Sequence, residues 1–113
     1  MVYDKAQELA AEIRASEEYA AYAAAKENIA AGSPTEALLK EYKRLEYRAQ
    51  AALVAGEEDT ETLEKLRRLG ELLQMDRKAS AFLIAEYRLN SLLSEVYRIL
   101  GKAVDIDLSV LEG

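Results

Sequence analysis

Three glutamates spaced three residues apart, Glu58, Glu61 and Glu64, have the type and spacing that could do chemistry. Side chains three positions apart share one face of a helix, and carboxylate oxygens are ligands that Mg²⁺ prefers. All-α nucleotide pyrophosphohydrolases hold magnesium with a Glu-x-x-Glu of this kind, and they add a second pair, Glu-x-x-Asp, one or two helices later. The glutamates therefore raise the hypothesis of a magnesium-dependent nucleotide hydrolase.

The sequence lacks the second acidic pair that this chemistry needs. The residues three places after Glu71, Glu86 and Glu95 are Gln74, Leu89 and Arg98. In a chain with 21 acidic residues, one Glu-x-x-Glu is close to what chance supplies. We therefore interpret the three glutamates as a solvated first helical turn, where carboxylates interact favourably with the helix dipole. The hydrolase is the alternative.

Composition excludes most other catalytic and metal chemistry, because the chain has no cysteine and no histidine. Disulfides, Cys/His zinc sites, Cys-ligated iron–sulfur clusters, Glu-x-x-His di-iron sites and His-dependent nucleophiles are all ruled out. We accordingly predict that the protein is not an enzyme. We assign no catalytic, cofactor-binding or metal-binding residue.

Lys40, Arg44 and Arg48 form a basic stripe on one predicted helix, with Lys43 beside it. We interpret the stripe as a solvated face with ion pairs at four-residue spacing, such as Glu36–Lys40. Attraction of an acidic partner is the functional alternative. We do not expect nucleic acid as a partner, because the formal net charge of −6 repels phosphate.

Short capping patterns divide the chain into segments of helical periodicity. The clearest pattern is Gly32-Ser33-Pro34, followed by Glu36. Gly32 suits the left-handed residue that ends a helix, and Ser33 with Glu36 forms a capping box around a proline at the first helical position. Further boundaries are predicted at residues 16–18, at residues 56–60 and at Asp76.

The last helical segment is the longest. Its apolar seam repeats every seven residues and consists of Phe82, Ala85, Leu89, Leu92, Val96, Ile99 and Ala103. Such a seam is typical of helices that pack nearly parallel. Since 20 of the 113 residues are alanine, we expect a thin core. We predict one domain over residues 1–103, an all-α antiparallel bundle of about five helices with a long C-terminal helix.

This last segment is apolar on more than one side, because Leu83, Ile84, Tyr87 and Tyr97 lie off the seam. Such a helix is central in a bundle or shared with another chain, and we expect both here. Ordinary edge tyrosines are the alternative. The residues that we assign to a partner interface are Phe82, Leu83, Tyr87, Leu89, Leu92, Val96 and Tyr97. We expect a homodimer, and a heterologous regulatory protein is the second partner considered.

Residues 104–113 form a separate tail, in which apolar and polar residues alternate from Val104 to Val110. We expect a frayed terminus, and the alternative is an extended arm on a groove or a partner's surface. No apolar run is long enough to cross a bilayer, and residues 1–5 lack the features of a signal peptide. We therefore expect a cytoplasmic protein without a membrane partner.

Over residues 3–103 the chain resembles the YlbF/YmcA family of bacterial regulators. The residues that carry the resemblance are Tyr3-Asp4-Lys5-Ala6, Leu9-Ala10, Ile13, Ser16, Glu18, Tyr19, Tyr22, Ala25, Leu39, Tyr42, Leu45, Ala85-Glu86, Arg88-Leu89-Asn90, Leu92-Leu93 and Glu95-Val96. The Ser-x-Glu-Tyr block and the later Ala-Glu-x-x-Leu-Asn-x-Leu-Leu block are the more specific parts. Neither block is a catalytic signature.

The resemblance implies a compact helical protein that self-associates or joins a small complex. In members of the family that complex influences competence, sporulation and biofilm formation by modulating the endoribonuclease RNase Y. Some of these complexes are associated with cysteine-ligated iron–sulfur clusters, which a chain without cysteine cannot ligate. The function that we expect is a non-enzymatic regulatory module for protein–protein interaction. A stand-alone paralogue with another role is the alternative.

Overall fold

A computed structural model describes residues 1–108 of the chain, and this part contains five helices. They are α1 (Val2–Arg14), α2 (Glu17–Glu27), α3 (Pro34–Val54), α4 (Thr60–Met75) and α5 (Arg77–Val104). The predicted all-α fold with a long last helix is confirmed. Within the described residues, none of these helices combines the length and the apolar character that crossing a membrane requires.

The start of α3 has the predicted capping geometry. Gly32 lies in the left-handed region at φ +76°, and the Ser33 hydroxyl accepts a hydrogen bond from the Glu36 amide at 3.1 Å. The Glu36 carboxylate accepts in return from the Gly32 amide at 3.1 Å, and Pro34 occupies the first helical position. Two otherwise unpaired amides, one before the helix and one in its first turn, are thus satisfied.

Ser16 separates α1 from α2, as the sequence predicts. Its hydroxyl donates to the Ile13 carbonyl at 2.6 Å and accepts from the Tyr19 amide at 3.2 Å. One side chain therefore ends the first helix and caps the second, since each helix end leaves backbone groups without intrahelical partners.

Aspartates cap the last two helices. Asp59 accepts from the Thr62 amide at 3.1 Å and from the Thr62 hydroxyl at 2.7 Å. Asp76 accepts from the Ala79 amide at 3.2 Å, and it also accepts from the Thr35 hydroxyl at 2.6 Å. This last bond joins the first turn of α3 to the junction between α4 and α5.

The chain divides into two compact units. The first, called here the hairpin unit, is Glu27–Ala81; the second, called the terminal unit, is Met1–Lys26 together with Phe82–Gly113. The single domain over residues 1–103 with a separate tail over 104–113 stays a prediction.

The hairpin unit has its own core, in which α3 packs against α4. Leu39, Leu45, Leu69 and Leu73 are buried, and Leu73 has no exposed surface. Burying one such side chain contributes about 1.5–3 kcal/mol relative to leaving it in water. The buried hydroxyl of Thr62 is satisfied by Asp59, so the core carries no unpaired polar side chain there.

The terminal unit differs, because the residues that it buries are all small. Among its described residues they are Ala25, Ala85 and Gly101. Its larger apolar side chains are half-buried or exposed; Tyr22 and Phe82, for example, contact each other with ring centroids 5.5 Å apart. The terminal unit therefore has the sparse packing expected of an alanine-rich sequence.

Candidate interaction surface

Helix α5 carries most of the exposed apolar surface of the terminal unit. Its 28 residues span about 42 Å at 1.5 Å per residue. Exposed large apolar side chains recur along it and are Ile84, Tyr87, Ile99, Leu100 and Val104. A helix that leaves apolar side chains in water over this length has surface available for another chain.

The seven residues predicted to form a partner interface are divided by the structure. Tyr87 is 73% exposed, whereas the other six, Phe82, Leu83, Leu89, Leu92, Val96 and Tyr97, are half-buried. Ile99, Leu100 and Val104 were missed from the predicted set, although they are more exposed than its seam members. Ile99 belongs to the predicted seam, which argued for burial, and Val104 was assigned to the tail; only the packing shows that these side chains are uncovered.

One side of α5, called here the outer face, is exposed at every position. It comprises Ile84, Tyr87, Arg88, Ser91, Glu95, Arg98 and Lys102, which recur at three- and four-residue steps. Arg98 pairs with Glu95, and this hydrogen bond lowers the pKa of the Glu95 carboxyl. With three basic residues against one acidic residue, the outer face is positively charged and contains two large apolar side chains.

The chain turns back on itself after α5 and forms a structure called here the hook (residues 105–108). The Ile106 amide donates to the Gly101 carbonyl at 2.9 Å, and the Asp105 amide donates to the Lys102 carbonyl at 3.4 Å. Asp105 has φ +58°. This pattern is a Schellman motif in which aspartate occupies the position that glycine usually takes.

Gly101 permits the hook to approach the helix. A Cβ atom at this position would collide with the Ile106 carbonyl oxygen, and it would lie 3.2 Å from Leu108 Cγ. The hook and the helix together line an open cavity of about 890 Å³, whose walls include Tyr87, Ser91 and Arg98. The rest of the predicted tail, residues 109–113, lies outside the described residues.

Helix α1 is the second exposed element of the terminal unit. None of its residues is buried, and Val2 and Tyr3 are each 81% exposed. Asp4, Glu8 and Glu12 follow one another at four-residue steps and form what is called here the acidic line. Helix α1 therefore presents apolar and negatively charged side chains to solvent.

The alternative magnesium site is not supported by the geometry. Glu58 precedes α4 instead of lying on it, so the prediction that the three glutamates share one helix face is wrong for Glu58. Glu61 pairs with Lys65 at 3.2 Å, and Glu64 accepts from two arginines, which lower the pKa of its carboxyl. No group of acidic side chains arranged to hold a metal ion occurs within residues 1–108.

The basic stripe on α3 is paired with acidic side chains. Lys40 lies 3.5 Å from Glu36, Arg44 pairs with Glu41 on its own helix, and Arg48 lies 3.7 Å from the Asp59 carboxylate. Lys43 also pairs with Glu46, at 3.7 Å. These contacts support the interpretation of the stripe as a solvated, ion-paired face.

The comparison with protein families decides the relationship. The sequence model of a family described as "Control of competence regulator ComK, YlbF/YmcA" matches residues 2–105. The chain belongs to the YlbF/YmcA family. The match extends from the first residue of α1 to the first residue of the hook, so it includes both exposed helices.

Proteins similar to this YlbF/YmcA chain occur in several bacteria. A UPF0342 protein of Symbiobacterium thermophilum is 39% identical over 108 residues, which cover 95% of this chain and 96% of the relative. A UPF0342 protein of Clostridium novyi is 31% identical over 107 residues, or 94% of each chain. A UPF0342 protein of Staphylococcus aureus strain JH9 is 30% identical over 105 residues, or 92% of each chain.

The two sequence blocks that resemble the YlbF/YmcA family have identifiable structural positions. The first includes Ser16, whose hydroxyl ends α1 and caps α2. The second runs along the middle of α5, where Ala85 is buried and Arg88 lies on the exposed outer face. The first block thus fixes the boundary between α1 and α2, and the second supplies both buried and exposed residues of α5.

Proposed function

We propose that this YlbF/YmcA chain is a non-enzymatic, regulatory protein–protein interaction module that forms a homodimer through its terminal unit. The observation that supports this proposal is the absence of any buried large side chain among the described residues of that unit. A second copy would cover the apolar surface that the unit leaves in water. The predicted cytoplasmic location is retained as part of the proposal.

The exposed large apolar side chains of the terminal unit support a dimer. A typical specific interface buries about 800 Å² on each partner, and apolar area contributes about 25 cal/mol per Å² removed from water. Association must first offset about 4–15 kcal/mol of lost motion, so several large side chains have to be covered together. Along α5, the exposed Ile84 and Tyr87 lie on the outer face, and Ile99, Leu100 and Val104 are exposed near the end of the helix outside that face.

The regulatory part of the proposal comes from the family, whose model is described by control of the competence regulator ComK. We propose a role in modulating RNase Y-dependent mRNA processing, and with it competence and biofilm formation, as in YlbF/YmcA complexes. The chain would act there by binding other proteins, since it has no cysteine with which to ligate an iron–sulfur cluster.

Sedimentation velocity tests the dimer. We expect the wild-type protein to sediment as a dimer at micromolar concentration. Tyr87→Glu should weaken association while leaving the helices intact, because Tyr87 is exposed and its replacement does not open a core. Leu92→Asp should disrupt both packing and association, because Leu92 is half-buried on the seam and a buried unpaired charge is costly.

The matched control is Tyr47→Glu, which changes an exposed tyrosine (68%) on α3 of the hairpin unit. It should leave the sedimentation coefficient unchanged, and far-UV circular dichroism should show native helix content for both tyrosine variants. A wild-type protein that remains monomeric at several hundred micromolar would contradict the homodimer.

A further inference from the structure

The two exposed helices of the terminal unit have opposite charge. Helix α1 carries the acidic line Asp4, Glu8 and Glu12. The contacts of this line are weak: Glu8 lies 3.4 Å from Lys5, with both side chains largely exposed. No ion pair of Glu12 is found among the described residues. Such solvent-exposed pairs contribute little to stability, so these carboxylates are available to another chain.

The outer face of α5 is the complementary surface. Arg88 and Lys102 have no ion pair within residues 1–108, and both are exposed. Ile84 (60% exposed) and Tyr87 add apolar area beside them. Charged and apolar groups side by side are the usual composition of an interface, in which charges select the partner and apolar area provides affinity.

The dimensions of the two surfaces also agree. The 13 residues of α1 extend over about 20 Å, and the 14 steps from Arg88 to Lys102 advance by about 21 Å along α5. On α1, the exposed apolar side chains Val2 and Tyr3 lie at the N-terminal end of the helix, next to Asp4 in the sequence. A helix of this length can therefore place its carboxylates and its apolar end along the outer face.

We infer that α1 of one copy lies against the outer face of α5 of a second copy, and that the exchange is reciprocal about a two-fold axis. This inference depends on the proposed homodimer and specifies which surfaces meet. Pairing α5 with α5 would bring together two helices that each carry five basic and two acidic residues, and like charges across an interface are repulsive. In a two-fold dimer, each α1–α5 contact necessarily occurs twice.

Two charge-reversed proteins test the pairing. The first carries Glu8→Lys and Glu12→Lys on α1, and the second carries Arg88→Glu and Lys102→Glu on α5. All four positions are exposed, so the folds should survive, which circular dichroism would verify. Each protein alone would place like charges in both contacts of its dimer. We expect each one to dimerise roughly tenfold or more weakly than the wild type.

Mixing the two proteins provides the decisive measurement. In the mixed dimer, the lysines of the first protein face the glutamates of the second, and the other contact is that of the wild type. Native mass spectrometry of a one-to-one mixture should show the mixed dimer in excess over both homodimers. The control mixture pairs the α1 variant with an α3 variant, Lys40→Glu, which should show no such excess.

The outcomes separate this inference from the proposed function. If the α1 variant dimerises like the wild type, or if mixing gives only statistical proportions, the α1–α5 pairing is wrong while the homodimer stands. If the wild type itself never dimerises, the proposed homodimer fails first. Added salt supplies a further readout, since it should weaken the mixed dimer and strengthen each variant homodimer.

Discussion

The hairpin unit and the terminal unit both contain leucine, alanine and tyrosine, but they differ in the size of the side chains that they bury. The hairpin unit buries four leucines between α3 and α4, and Leu73 among them has no exposed surface. The terminal unit buries only alanine and glycine among its described residues. The first unit therefore encloses large apolar side chains, whereas the second leaves its large apolar side chains half-buried or exposed.

The comparison also shows how little composition decides by itself. Leucine is present in both units, and α5 has a regular seven-residue seam, yet Leu89 and Leu92 of that seam are only half-buried. Leu39 and Leu45, which belong to a less regular pattern, are buried. Burial of Leu39 and Leu45 accompanies the packing of α3 against α4, which a seven-residue repeat within one helix does not specify.

The largest expected effect is on the hairpin core. Leu73→Ala should destabilise the protein by about 2–5 kcal/mol, because a fully enclosed leucine leaves a cavity when it is truncated. Leu72→Ala is the matched control: Leu72 is 55% exposed, and its loss should cost well under 1 kcal/mol. Urea unfolding followed by circular dichroism measures both. If both variants lose the same free energy of unfolding, burial of Leu73 in the hairpin core does not contribute more to stability than the exposed Leu72.

The terminal unit should instead respond to protein concentration. If folding is coupled to dimer formation, a tenfold rise in concentration adds about 1.4 kcal/mol to the free energy of unfolding per mole of dimer. Tyr87→Glu should remove this dependence, and Tyr47→Glu should retain it. Thermal unfolding at three concentrations is sufficient. If the midpoint does not change with protein concentration, folding of the terminal unit is not coupled to dimer formation.

Much of the fold follows from local signals that the sequence displays. Helix starts are marked by Ser33 and Asp76, whose side chains accept hydrogen bonds from free backbone amides. Pro34 also marks a helix start, because it has no amide that would need a partner there. All three residues occur at helix starts, as predicted. Gly56 likewise ends α3 at φ +75°. Such signals are readable because the chemistry that they use lies within a few residues of the chain.

The features that could not be predicted depend on distant packing or on an exception to a preference. Asp59 caps α4 within the predicted boundary at residues 56–60, but the three-residue spacing of the glutamates wrongly placed Glu58 on the helix instead of in the preceding loop. Asp105 adopts a left-handed conformation without being glycine, so no sequence signal announced the hook. The exposure of Ile99 and Leu100 could not be predicted either. A seven-residue repeat indicates which residues share a helix face, but it does not indicate whether another helix packs against that face.

A further prediction concerns the bond that links α3 to the α4–α5 junction in the hairpin unit. Thr35→Val should cost about 1 kcal/mol at neutral pH, because it removes the hydrogen bond from the Thr35 hydroxyl to the Asp76 carboxylate while preserving shape. The Thr35 bond is also the main cause of the lowered pKa of Asp76, followed by the amide bond from Ala79.

The same bond makes the hairpin unit sensitive to acid. Because the folded pKa of Asp76 lies below its ordinary value of 3.8, the stabilisation is present above that value and is lost as pH falls through the folded pKa. The wild type should therefore lose more stability than Thr35→Val between neutral pH and about pH 3. Parallel losses in both proteins would show that this bond contributes nothing.

The smallest effect is expected at the hook of the terminal unit, and its sign is opposite. Asp105→Gly should stabilise the protein by about 0.5–1 kcal/mol, because glycine adopts φ +58° without the steric cost that a side chain carries there. Gly101→Ala is the counterpart, since its Cβ would collide with the Ile106 carbonyl and open the hook. Amide hydrogen exchange at Ile106 should slow in the first variant and accelerate in the second. If neither variant changes that exchange rate, the hook does not hold the chain end against α5, and the cavity beside Tyr87 has no fixed wall on that side.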